Sequence, residues 1–128
     1  MGTKEIEKVM IGACSSLGIV PLESIYLPDD FPDGVDERIV IHVKRGQRGA
    51  WFYKGFVEVN AVVPDNGGRA DHQRLETVEN ILTEAFRYDT VGEFAGETYR
   101  YGLHSIEILP EENYHYVNAR LTFEILNI

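Results

Sequence analysis

The sequence predicts an α+β fold: a mainly antiparallel sheet of four to five strands with two helices packed on one face. Three observations carry this. Two segments, near residues 6–17 and 71–88, repeat apolar residues at three- and four-residue steps. The segments 38–43, 56–63, 99–109 and 114–125 instead alternate with a period of two. Turn-forming residues join these alternating segments in pairs, as in hairpins rather than crossovers, with only two helices in between. The 128 residues suit a single domain, 1–128.

Taken in order, Ile6, Val9, Met10, Ala13, Cys14 and Leu17 fall on one helical face, with Thr3 as the expected front cap and Gly18 as a natural stop. Ile25, Tyr26 and Leu27 form a brief strand before the turn-rich stretch Pro28-Asp29-Asp30-Phe31-Pro32-Asp33-Gly34. Ile39, Ile41 and Val43 then oppose Val40 and His42. Gly46 and Gly49 mark the tip of a long hairpin. The returning strand sets Val57, Val59, Ala61 and Val63 against Phe56, Glu58, Asn60 and Val62, with a bulge or bend expected at Gly55.

Pro64 to Gly68 ends that strand. A second helix runs from about Asp71, its cap, to Tyr88, with Leu75, Val78, Ile81, Leu82, Ala85 and Phe86 on one face. Asp89 to Thr98 is glycine-rich and reads as irregular. The next strand places Tyr101, Leu103, Ser105 and Glu107 against His104, Ile106 and Ile108. After the turn at Pro110 to Asn113, the last strand opposes Tyr116, Asn118, Arg120, Thr122 and Glu124 to Val117, Ala119, Leu121, Phe123 and Ile125. That clean division puts one face on a core and the other on water or a neighbouring subunit.

Charge and composition exclude several functions. Twelve Lys and Arg against 21 Asp and Glu give a formal charge of −9, which repels phosphate and disfavours a whole-surface nucleic-acid binder. Cys14 is the single cysteine, so there is no internal disulfide and no thiolate cluster; its apolar stripe predicts a buried packing role rather than a reactive thiol. No apolar run approaches the roughly 18 residues of a membrane helix, and MGTKEIEKVM lacks the apolar centre of a secretion signal. The chain reads as a soluble acidic globule of a reducing compartment.

Catalytic signatures are missing. There is no Gly-x-Ser-x-Gly, no phosphate loop and no Gly-x-Gly-x-x-Gly, and Gly67-Gly68 lacks the Lys-Ser/Thr that would make it a phosphate cradle. Asp29, Asp30, Asp33 and Asp36 do not follow calcium-loop spacing and read as a solvated acidic loop, within a stretch from Pro21 to Glu37 that holds six acids and no base. Among His42, His72, His104 and His115, His42 and His104 could meet across a sheet. With Glu58 or Glu107 as third ligand they define a metal-enzyme alternative; polar strand-face histidines are the simpler reading. The expectation is a non-enzyme with no cofactor and no metal.

One segment departs from the average. Residues 44–54 hold four bases, Lys44, Arg45, Arg48 and Lys54, and no acid, together with Trp51, Phe52 and Tyr53. Such a hairpin could be an arm for self-association, since Arg, Trp and Tyr are enriched at interface centres and a basic arm suits an acidic body. The lesser alternative is an exposed hairpin with no special role. As a small non-catalytic binding module, it would use the same residues to contact nucleic acid or a protein partner. The candidate interface is therefore Arg45, Arg48, Trp51, Phe52 and Tyr53.

From Arg38 onward, the order helix–hairpin–helix–hairpin, the segment Phe56-Val57-Glu58-Val59-Asn60-Ala61-Val62-Val63-Pro64 leading through Asp71 into Leu75-Glu76-Thr77-Val78-Glu79-Asn80-Ile81-Leu82, and the closing Tyr116 to Leu126 resemble tail terminator (tail-completion) proteins of tailed phages and prophages. The resemblance is one of pattern rather than motif. It implies a structural protein that forms a homo-oligomeric ring, commonly hexameric, at the head-proximal end of the tail tube. It further implies contacts with tail-tube and head–tail connector proteins, DNA passing through the lumen without specific binding, no membrane, and a location in the host cytoplasm during assembly and then in the virion tail.

Overall fold

The computed structural model describes residues 1–30, 33–34, 36–44 and 52–126. Its elements are α1 (Thr3–Ser15), β1 (Ile25–Tyr26), β2 (Arg38–Lys44), β3 (Phe52–Pro64), α2 (His72–Phe86), β4 (Thr90–Phe94), β5 (Glu97–Pro110) and β6 (Tyr114–Leu126). The six strands form one sheet in the order β1-β2-β3-β6-β5-β4.

The α+β class holds, but the sheet has six strands rather than four or five, and it is mixed because β1 lies parallel to β2. The added strand is β4, in the stretch that reads as irregular. Gly92 interrupts its alternation, and its turn to β5 is Ala95-Gly96, with φ of 51° and 83°. Two positive φ values match the tight primed hairpin turn that right-twisted strands need. Ala in the first position hides the signal that Asn or Asp would have given.

Other details differ locally. α1 is capped by Gly2 rather than Thr3, and the Glu5 carboxylate reaches back to accept from the Gly2 backbone N–H at 3.0 Å. Asp71 caps α2 as expected, accepting from the Arg74 N–H at 3.2 Å. Gly55 sits in unbroken register opposite Phe123, so it makes no bulge. The irregularity lies between Leu103 and Ser105, and it shifts the phase of β5. Tyr101 and Leu103 consequently share a face with Ile106 and Ile108, not with Ser105 and Glu107.

Alternation explains where the core sits. Val57, Val59, Ala61 and Val63 of β3 and Val117, Ala119, Leu121, Phe123 and Ile125 of β6 are buried on one face, beside Ile39 and Ile41 of β2. Ile6, Met10 and Cys14 of α1 and Leu75, Val78, Leu82 and Phe86 of α2 join the same cluster, so both helices cover this inner face. Tyr99 and Tyr101 each stack on Phe123, with centroids 5.6 and 5.8 Å away, while the edge of Phe86 meets Tyr101. Burial pushes the Cys14 thiol up to about 12, as expected for a packing residue and not a nucleophile.

Candidate functional site

Among the described residues no helix packs on the other face of the sheet. Its register brings together rows of side chains: His42, Glu58, Arg120 and Ser105 in one row, and Val40, Asn60, Asn118 and Glu107 in the next. Alternation sends every second residue of each strand outward, so the polar half of the β3 and β6 patterns meets here.

These side chains satisfy one another. Lys44 Nζ lies 2.8 Å from Glu58, and the Asn118 amide donates to Glu58 at 3.1 Å and to Asn60 at 2.6 Å. Burial pushes the Glu58 carboxyl up, but the bonds from Lys44 and Asn118 and the charges of Lys44 and Arg120 outweigh it, leaving Glu58 below its ordinary value. At the far end Arg100 donates to Glu124 at 2.6 Å, with Lys54 3.5 Å away. The Arg100 bond, working against burial, holds Glu124 low.

Arg120 is different. Its guanidinium lies 3.9 Å from the centroid of the Phe56 ring, and its Nε is buried without a hydrogen-bond partner among the described residues. Phe56 also faces His104, with centroids 5.4 Å apart.

Toward the β1 end, Val40, Asn60, Val62, Tyr114 and Tyr116 line a cavity of about 240 Å³, closed by Gly34, Arg38 and Glu111. Small-molecule sites usually hold roughly 300–1,000 Å³. This one has room for a side chain of an incoming surface.

Of the predicted interface, Arg45, Arg48 and Trp51 lie outside the described residues, as do the side chains of Phe52 and Tyr53; the backbone of Phe52 and Tyr53 opens β3 opposite Leu126 and Ile125. Lys44 and Lys54, which flank that segment, are half-exposed and paired with Glu58 and Glu124. His42 lies opposite Glu58 and His104 packs on Phe56, and among the described residues no three candidate ligands meet. Sequence reasoning passed over Arg120. The signal was present in the polar half of β6, but alternation alone cannot tell a paired base from an unpaired one.

No family model matches the chain, and no curated protein matches it. The fold is shared with a solved structure of a hypothetical protein, 16% identical, covering 98% of this chain and 96% of that one at a TM-score of 0.67. At that identity the likeness concerns the fold alone.

Proposed function

We propose that the chain is a structural tail-assembly protein of a phage or prophage, a tail terminator subunit that joins copies of itself into a ring at the head-proximal end of the tail tube. The observation that carries this is the sheet's two unlike edges. β4 has β5 as its one strand neighbour among the described residues, and its Val91 is 63% exposed beside Tyr88, 75% exposed. At the other side β1 covers β2 at Ile39 and Val40, whereas Ile41 to Lys44 have no partner strand on that side among the described residues.

Open strands are templates for pairing with another chain. Two unlike edges on one subunit favour head-to-tail association, and such contacts close into a ring when the rotation per subunit allows. In this reading the basic segment 44–54, with Arg45, Arg48, Trp51, Phe52 and Tyr53, follows β2 in the chain and supplies the arm. The tail tube and the connector are the other partners, and DNA crosses the ring without specific contacts because the chain's charge of −9 repels phosphate. The protein fits and holds; it does not catalyse.

Light scattering tests this on the purified chain. Wild type is expected to exceed monomer mass, and either Val91→Lys or the pair Arg45→Gln and Arg48→Gln is expected to lower that mass. A mass unmoved by both sets of changes overturns the reading.

A further inference from the structure

The sheet places five bases on its outer face, Arg38, Lys44, Lys54, Arg100 and Arg120, against four acids, Glu58, Glu93, Glu107 and Glu124. The whole chain has 12 bases and 21 acids, so the remainder holds seven bases and seventeen acids. The molecule is therefore polarised. One sheet face is close to neutral, and the rest of the chain taken together is strongly negative.

Within that face most charge is already matched. Lys44, Lys54 and Arg100 are tied to Glu58 and Glu124. The Arg38 guanidinium is engaged by the carbonyls of Asp36 and Gly34. Arg120 instead rests on the Phe56 ring, and its Nε–H has no acceptor among the described residues. A buried donor without an acceptor is unfavourable. Stacking on an aromatic ring also fixes the plane of the guanidinium, and a fixed fork is preorganised for a carboxylate.

We infer that the outer sheet face is a docking surface for a second copy of this chain, seated by Arg120 on a carboxylate of the neighbour's acidic segment. The complementary element is in the same sequence. Asp29, Asp30 and Asp33 are exposed and make no ion pair among the described residues, in a stretch from Pro21 to Glu37 with six acids and no base. A polyanion such as DNA fits less well, because its binding draws on several unpaired cations and the neighbouring bases here are neutralised in pairs. This inference rests on the assembly reading above and supplies it with a specific contact: face of one copy against acidic segment of the next.

Sedimentation velocity over a concentration series tests it, with three variants. Arg120→Glu, and separately Asp29→Lys/Asp30→Lys/Asp33→Lys on the exposed loop, are each expected to raise the dissociation constant of self-association by about thirtyfold. Mixing these two variants restores association, because every face–loop contact in an alternating assembly again joins opposite charges. Arg120→Met, which keeps the apolar stem on Phe56, controls for misfolding: it weakens association while retaining the wild-type melting temperature. If Arg120→Glu and the loop variant associate as wild type while Val91→Lys does not, the face contact is wrong and the assembly reading stands. A wild type that stays monomeric up to about 1 mM overturns both. Retention of labelled duplex DNA that is lost in Arg120→Glu, with self-association unchanged, overturns the inference in favour of a nucleic-acid surface.

Discussion

The two faces of the sheet are made from the same strands, residue by residue, yet they are held by different physics. On β6, Val117, Ala119, Leu121, Phe123 and Ile125 are at most 1% exposed because two helices cover them. Their neighbours Asn118, Arg120, Thr122 and Glu124 are half-buried although no helix among the described residues lies above them. On the inner face the driving force is removal of apolar area from water. On the outer face the side chains shelter one another through cross-strand hydrogen bonds and ion pairs, whose net contribution per contact is small. Stability is thus concentrated on one side, and the other is left open to be specified by what it touches.

The comparison is broken most directly by truncation. Phe123→Ala removes the ring on which Tyr99 and Tyr101 stack and is expected to cost about 3–5 kcal/mol in urea denaturation. Thr122→Ala, one residue along and facing outward, is expected to change stability by less than about 0.5 kcal/mol. Equal losses would show that the outer face is a second core.

Next in size is overfilling at Gly102. This glycine is buried opposite Thr122, and a β-carbon there would collide with the Asp89 carboxylate and approach the Asp89 backbone. Gly102→Val is expected to cost about 1–3 kcal/mol, with the loss concentrated in hydrogen-exchange protection of β4 and β5. Uniform loss of protection across all six strands would argue that the β4 edge is not a separable part of the sheet.

Why did the sequence disclose one face so much better than the other? Burial acts on each residue separately, so the period-two pattern of β2, β3 and β6 and the helical pattern of α1 and α2 carried the whole inner face. Where backbone geometry decided instead, the pattern failed. At β4, Gly92 and the Ala95-Gly96 turn concealed a strand, and between Leu103 and Ser105 a bulge reversed the phase of β5. β1 has two residues and its partner lies across the connection 27–37, so only tertiary contact defines it as part of a mixed sheet. Outer-face pairing is a property of register between strands distant in sequence. The basic segment 44–54 was legible as a charge reversal, but the meeting of Arg120 with Phe56 was not, because 64 positions of chain separate them and neither is unusual alone.

A smaller effect sharpens the polar side. Asn118 bridges Glu58 and Asn60 across the β3–β6 pair. Asn118→Ala is expected to cost about 1 kcal/mol in denaturant unfolding, and to bring the Glu58 carboxyl back toward its ordinary value in carbon-detected NMR titration. If the Glu58 titration does not move, Lys44 and Arg120 hold that carboxylate without help from the amide.

The smallest effect is the dependence on pH, and its sign follows from the ion pairs. Glu58 and Glu124 both titrate below the ordinary value of 4.5 in the folded chain. A carboxyl that binds its proton less readily when folded contributes stability that is complete above the unfolded value. That contribution is lost as pH falls through the lowered folded value, so the window lies below about 4.5. Arg100 is exposed and its bond to Glu124 is screened, so the loss is modest and shrinks further with added salt. Glu124→Gln is expected to lower the neutral plateau slightly and to converge with wild type in acid, so that its stability curve is flatter below pH 4.5, as read from melting temperatures at low and high salt. A variant curve as steep as wild type would place the acid sensitivity elsewhere, and would leave the Arg100–Glu124–Lys54 cluster as a way of arranging charge on the outer face rather than of holding the sheet together.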